Sequence, residues 1–332
     1  MSFEFPQRVI HGGAGKRLQE KTQKHVLDFS ASVNPLPPGF AWDRDSPDIF
    51  CYPDDDYAFL KERIAHTFKR KPEEICVGNG SIELIRVFCR VCLQNGKKYF
   101  YTPPTFGEYD LSACLAGATI ATSSDTADVH FVCNPNNPTG ILQPKKTLLF
   151  LLDQCARHGS MLFCDEAFIE LCDPKESLAD ITSPHLFVLR SLTKSFSCPG
   201  IRFGYGFGSP ALIEKIETAR SPWSVNAFAE SYALQALLHV EELAASRDYI
   251  ARERDWLAQE LLTRGFFPTP SSANFILVDC RKEVPSLVQA LLYEGILVRD
   301  CTSFGLPHCI RIAVRLRAEN QQLLEAMDRC VR

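Results

Sequence analysis

From Ile75 to Leu189, short apolar runs alternate with stretches of helical periodicity, and each run stops at a turn that a strand cannot cross. Ile75-Cys76-Val77 ends at Gly78-Asn79-Gly80-Ser81 and leads into a helix from Ile82 to about Gln94. Lys98 to Thr102 reads as a second strand. Val129 to Cys133 ends in Asn134-Pro135-Asn136-Asn137-Pro138-Thr139-Gly140. Thr147 to His158 is helical, and Met161 to Cys164 and Phe187 to Leu189 are further strands. Strands separated by helices pair in parallel, so the expected class is α/β with a largely parallel sheet. Residues 1–40 read as irregular, and Tyr57 to Phe68 as a helix. After Trp223 the texture becomes α+β: a long helical stretch from Asn226 to Thr263, strands at Asn274–Val278, Ile296–Val298 and Ile310–Val314, a helix at about Ser286–Glu294 and a terminal helix. The expected division is an arm at 1–35 that joins the small domain, a large domain at 36–226 and a smaller domain at 227–332.

Charge narrows the classes of partner. The formal net charge is -4 and the sequence has no extended basic block, which points away from nucleic acid and anionic membranes. No apolar run reaches the roughly 20 residues that span a bilayer. The first residues lack the pattern of a secretory signal. The 14 cysteines follow no framework spacing, as expected for a chain of the reducing cytoplasm. Cys89-x-x-Cys92 lies inside a helical stretch with no second pair, so it reads as structural and no metal site is expected.

Four segments carry chemistry. Gly78-Asn79-Gly80-Ser81 lies between strand and helix, where backbone N–H groups can face an anion; as a plain turn it would use Ser81 as N-cap. The Asn-rich turn at 134–140 places an amide at a strand end. Asp165 follows directly on an apolar strand, and a buried carboxylate needs a partner; its plain alternative is a surface helix cap. Lys194 stands in Arg190-Ser191-Leu192-Thr193-Lys194, after the apolar run His185–Leu189, with Arg202 downstream. A lysine among hydroxyls with an arginine nearby suits pyridoxal phosphate (PLP): the amine forms a Schiff base with the cofactor aldehyde, and the hydroxyls and guanidinium hold its phosphate. A protonated pyridine nitrogen would be the partner Asp165 needs. All four segments lie at strand C-termini, where open α/β sheets build sites.

In this order the motifs resemble the fold-type I PLP enzymes, the aspartate aminotransferase superfamily, over essentially the whole chain. The resemblance implies a large domain with a mostly parallel seven-stranded sheet and a smaller α+β domain. It implies that Lys194 is the Schiff-base lysine, that Asp165 pairs with the pyridine nitrogen and that Asn137 bonds the ring's O3′. Gly80, Ser81, Ser191 and Arg202 would hold the cofactor phosphate, and Phe106 would stack on the ring. Phe168 stands where many members have a tyrosine that contacts O3′, which leaves Asn137 as the main donor. Tyr52 looks like the residue that reaches a neighbouring subunit's cofactor, implying a homodimer with sites at the interface.

Within the superfamily two relatives compete. Several segments resemble threonine-phosphate decarboxylase: His11-Gly12-Gly13, Asp28 to Leu36, Asp165-Glu166-Ala167-Phe168, Arg190 to Lys194 and Pro222-Trp223-Ser224-Val225-Asn226. Histidinol-phosphate aminotransferase usually lacks the His-Gly-Gly opening and the Trp-Ser pair. Ala14 departs from the decarboxylase pattern, which often has Asn there. A PLP-sensing regulator is the remote alternative, and the sequence offers no added DNA-binding region for one. The expected substrate is a small phosphorylated amino acid, O-phospho-L-threonine or O-phospho-L-serine. Those two differ by one methyl, worth only about 1–3 kcal/mol in a pocket. His11, Asn34, Arg299 and Arg315 are expected to bind its phosphate, leaving the carboxylate free to turn out of the ring plane. Period-two spacing would put Arg311 and Arg315 on one strand face, and Arg311 reads equally as a surface charge.

Overall fold

The computed structural model describes residues 5–331 other than Ser46. A short strand β1 (Leu27–Asp28) precedes β2 (Ile75–Asn79), β3 (Lys98–Tyr101), β4 (Thr119–Ile120) and β5 (Val129–Cys133). Next come β6 (Met161–Asp165), β7 (Leu186–Ser191) and β8 (Phe203–Gly208). Strands β2 to β8 form one seven-stranded sheet in the order β2-β8-β7-β6-β5-β3-β4. Only β8 runs antiparallel to its neighbours β2 and β7; the other pairings are parallel. The expected α/β architecture is therefore present.

Strand β8 is the element that periodicity misses. Phe203-Gly204-Tyr205-Gly206-Phe207-Gly208 alternates aromatics with glycine, and glycine ordinarily weakens a strand. Here close approach demands it. A Cβ on Gly204 would lie 2.4 Å from the backbone nitrogen of Ser81, so β8 can pass under the start of the Ser81–Cys92 helix only with glycine there. The aromatics between the glycines are buried and enter the core beside Phe68.

The register sets the site. Cys133 pairs with Asp165, and Asp165 pairs with Leu189, so β5, β6 and β7 end side by side on one edge. Lys194 follows on the single helical turn Leu192–Ser195. The topology thus gathers the Asn-rich turn, the carboxylate and the lysine at the carboxyl ends of adjacent parallel strands.

The second layer contains β9 (Phe267–Pro268), β10 (Phe275–Asp279), β11 (Ile296–Leu297), β12 (Arg299–Asp300) and β13 (Cys309–Ala313). Four of them form an antiparallel sheet, β12-β13-β10-β9, while β11 pairs in parallel with β1. Leu27 and Phe29 share a core with Leu257, Ile276, Ile296 and Ile312, which fastens the N-terminal arm to this layer. The division expected after residue 226 falls later. Ala229, Ala233, Leu243 and Ile250 pack into the core of the large sheet, and the cores change over within the helix Leu243–Thr263.

The long helical stretch is also interrupted. Ala227–Ala236 is capped by the Asn226 side chain, and a 3₁₀ turn at Leu237–His239 separates it from Leu243–Thr263. His239 stacks on Phe40 at 5.0 Å and bonds Glu242 at 2.6 Å, contacts that fix the turn. A helix at Gly15–Thr22, in the region expected to be irregular, is polar apart from Leu18 and so shows no apolar periodicity. Ser81 is not an N-cap: Gly80 takes that position and Ser81 begins the helix. Cys89 and Cys92 lie in that helix as free thiols, and no metal-holding cluster occurs among the described residues. No helix there is long and apolar enough to cross a membrane.

Candidate active site

A cavity of about 390 Å³ opens between the strand ends and the second layer, lined in part by His11, Ser81, Phe106, Asn137, Asp165 and Lys194. Asp165 is buried, not a surface cap. Its Oδ1 accepts from the Ala167 N–H at 2.9 Å and its Oδ2 from the Tyr109 hydroxyl at 2.7 Å. Burial pushes this carboxyl above the usual range, opposed by the Tyr109 and Ala167 donors and by Lys194. Lys194 lies with its Nζ 5.6 Å from the Phe168 ring centre. Burial lowers its pKa to about 8, helped by the charges of Arg311 and Arg202 and opposed by Asp165.

The cavity is strongly cationic. Lys194, Arg202, Arg299 and Arg311 line it, against the single carboxylate, among the described residues, of Asp165. Arg311 is buried, with Nη1 bonded to Asn137 Oδ1 and Nη2 donating to the Ser30 carbonyl at 2.9 Å. Burial and the neighbouring Arg299 lower its pKa to about 10. Arg299 donates to the Ile10 carbonyl at 2.8 Å and the Ser303 hydroxyl at 2.6 Å. Among the described residues, no carboxylate forms an ion pair with Arg202, Arg299 or Arg311. Arg299 and Arg311 face each other directly across β12 and β13. Like charges so placed repel, and buried cations without counter-charge call for a bound anion.

Most expected site residues meet here. Ser81, Phe106, Asn137, Asp165, Ser191, Lys194, Arg202, Arg299 and His11 all line the cavity. Gly80 lies just behind it with φ +74°; a Cβ there would come within 2.1 Å of Arg202 Nη2. His11, its side chain 41% exposed, bonds Glu108 Oε1 at 2.8 Å, and its ring centre is 5.9 Å from that of Phe106. The buried Glu108 also binds Arg86.

Two expectations change, those for Asn34 and Arg315. Asn34 does not reach the cavity. Its amide is 2% exposed and fully engaged, donating to Ser195 O and Ser246 Oγ and accepting from Leu36 N–H. It anchors the turn that carries Lys194, whose carbonyl also accepts from Asn34 N–H. Arg315 lies beyond the end of β13, so the period-two argument does not apply to it. Its guanidinium bonds Asp28 O at 3.1 Å and Glu319 Oε1 at 2.7 Å, tying the N-terminal arm to the terminal helix. Arg311 takes the place in the cavity that was assigned to Arg315. Tyr52 is 79% exposed, stacks on Trp223 at 4.6 Å and lines a separate surface hollow, away from the cavity of its own chain. Two residues carried no assigned role in the sequence reading, Tyr109 and Glu108. Both lie in the first turn of the helix Glu108–Leu115, which starts two residues after Phe106, and nothing in the sequence pattern marks them.

The residues present fit PLP. Lys194 provides an amine of lowered basicity, Asp165 a buried carboxylate for a ring N–H, and Asn137 an amide beside it. Ser81, Ser191, Thr193 and Arg202 supply donors for a phosphate at the start of a helix. Condensation needs the neutral amine, so PLP uptake by the apoenzyme should quicken as pH rises through about 8 and level off above. The growth of visible absorbance after mixing measures it; a rate indifferent to pH between about 7 and 9 would contradict the perturbed amine.

Comparison with known proteins gives this fold a family. The family model "Aminotransferase class I and II" matches residues 25–327. The "Putative threonine-phosphate decarboxylase" of Caldanaerobacter subterraneus subsp. tengcongensis is 34% identical, covering 90% of this chain and 88% of that protein. A histidinol-phosphate aminotransferase of Anaeromyxobacter is 31% identical, covering 95% and 94%. The crystal structure of histidinol-phosphate aminotransferase from Sinorhizobium meliloti in complex with pyridoxal-5'-phosphate superposes with a TM-score of 0.83 at 21% identity, covering 100% and 98%. The lysine, carboxylate and anion cradle at the ends of parallel strands thus have a family setting: this chain belongs to the class I and II aminotransferases, which are PLP-dependent enzymes.

Proposed function

We propose that the protein decarboxylates O-phospho-L-threonine or O-phospho-L-serine and releases the aminoalkyl phosphate used in cobalamin nucleotide-loop assembly. The observation that carries this reading is the pair Arg299 and Arg311, opposed across two strands with no acidic partner among the described residues. A phosphate dianion bridges two guanidiniums well, because each presents a planar fork of donors. His11, on the same cavity wall as Ile10, whose carbonyl Arg299 holds, adds a third contact. With Arg202 at the cofactor phosphate and both remaining arginines on the substrate phosphate, no further arginine among the described residues lines the cavity to hold the α-carboxylate in the ring plane. The decarboxylase-like His11-Gly12-Gly13 segment supports the same choice.

When bound, PLP supplies an electron sink for the charge left at Cα as carbon dioxide departs. The protein's own groups do the rest. Asp165 would hold a proton on the ring nitrogen, Asn137 would donate to O3′ and Phe106 would cover one ring face. Lys194 would return a proton to the substrate's Cα. We also propose a cytoplasmic homodimer, in which the exposed Tyr52, beside the exposed Ile49 and Phe50, reaches the cofactor phosphate of a second copy.

Incubating the holoenzyme with O-phospho-L-threonine should release carbon dioxide and aminopropanol phosphate. O-phospho-L-serine should give aminoethyl phosphate at a rate that ranks the two substrates. Glutamate-dependent amino transfer to imidazole acetol phosphate, without carbon dioxide, would sink the reading in favour of a histidinol-phosphate-type aminotransferase.

A further inference from the structure

Tyr109 is wholly buried near the start of the helix Glu108–Leu115, and its side chain touches both groups expected to hold the cofactor ring. Its hydroxyl donates to Asp165 Oδ2 at 2.7 Å. Its ring meets Phe106 edge-on, at 5.5 Å and 81°, and stacks flat on Phe131, at 5.2 Å and 4°. Phe131 belongs to β5, next to the strand that carries Asp165, so the tyrosine is clamped between sheet and cavity and has no room to swing. We propose that Tyr109 is a positioning residue of the cofactor site, registering the edge of the ring through Asp165 and its face through Phe106.

The carboxylate geometry explains the arrangement. Each Asp165 oxygen accepts one donor from the protein, Ala167 N–H on Oδ1 and Tyr109 O–H on Oδ2. Each oxygen keeps a second lone pair, so a ring N–H can be received without displacing either donor. The titratable groups facing Asp165 are Tyr109, Lys194, Cys133 and Cys164, while Glu166 turns away to bond Arg190. Burial pushes the Cys133 thiol up to about 12 and the Cys164 thiol well above its ordinary value, so both stay neutral. Among the influences that keep the buried carboxylate ionised, the Tyr109 hydroxyl is the largest. Removing it favours the protonated acid, which is the wrong partner for a protonated ring nitrogen.

Tyr109→Phe deletes the hydroxyl and keeps the ring contacts. The expected result is a PLP dissociation constant raised about tenfold, as for loss of one hydrogen bond to a charged group. The pH midpoint of the cofactor's visible absorbance should move upward. A ring nitrogen that is less fully protonated draws less charge from the cofactor–lysine linkage, which then keeps its proton to higher pH. The kcat should fall with little change in substrate KM. Tyr109→Leu, which also loses the contact with Phe106, should weaken PLP binding further. A Tyr109→Phe holoenzyme with unchanged dissociation constant and unchanged midpoint overturns the proposal. So does one whose only change is a lower melting temperature. These readouts concern the cofactor and do not depend on which substrate is turned over, so failure of the decarboxylase reading leaves the proposal standing.

Discussion

Lys194→Ala enzyme should lose about four orders of magnitude in kcat, together with the visible absorbance of lysine-linked PLP. The size of the effect follows from the two duties proposed for this one amine: covalent attachment of the cofactor and transfer of the Cα proton, the latter alone worth about 10²–10⁴-fold. The fold should survive. The Lys194 amine is buried beside Arg311 and Arg202, and that environment already drives its pKa down to about 8, so removing it relieves repulsion. The melting temperature of the apoenzyme should therefore hold or rise. Activity within tenfold of the parent, or an unchanged absorbance band, would show that Lys194 is not the attachment point.

Arg311→Lys should produce the next largest loss, about a hundredfold in kcat/KM for the phosphorylated substrate, carried mainly by KM. Lysine keeps the charge but presents no planar fork. It cannot bond Asn137, the Ser30 carbonyl and a phosphate at once, as the guanidinium can. Truncating one partner of a buried charge pair costs about 2–5 kcal/mol, which spans the predicted effect. Arg315→Lys is the informative control. That guanidinium is also well bonded, to Asp28 and Glu319, but lies off the cavity. It should lower the melting temperature and leave KM alone. If the two substitutions traded effects, the placement of the phosphate would be wrong.

The comparison of Arg311 with Arg315 shows where sequence reasoning reaches its limit. Period-two spacing holds only while a strand lasts, and β13 stops at Ala313. Where the chain leaves the sheet cannot be read from Ile310 to Val314, because every residue but Arg311 is apolar. Lys194 and Asp165 were legible for the opposite reason: each follows an apolar run that must be a buried strand, and a charge there has to be used. Asn34 misled because its partners, Ser195 and Ser246, lie far away in sequence and only tertiary packing unites them. Strand β8 was hidden by its glycines, whose purpose is visible only once the Ser81 helix lies across them. Tyr109 stands three residues after Phe106, at the start of a helix, but its role needs the distance to Asp165.

The parallel pairing of β1 with β11 joins Leu27 to Ile296, residues far apart along the chain. Strands β2 to β8, with Asp165 and Lys194, leave the ribosome before the residues that complete the second layer. The arm emerges before β11, β12 and β13 yet must wait for them before it can dock, bringing His11 toward Arg299. A nascent chain thus acquires Asp165 and Lys194 before it has the arginine pair proposed to grip a substrate. In biosynthetic terms, the half of the molecule that holds the reactive group is assembled ahead of the half that decides what reaches it.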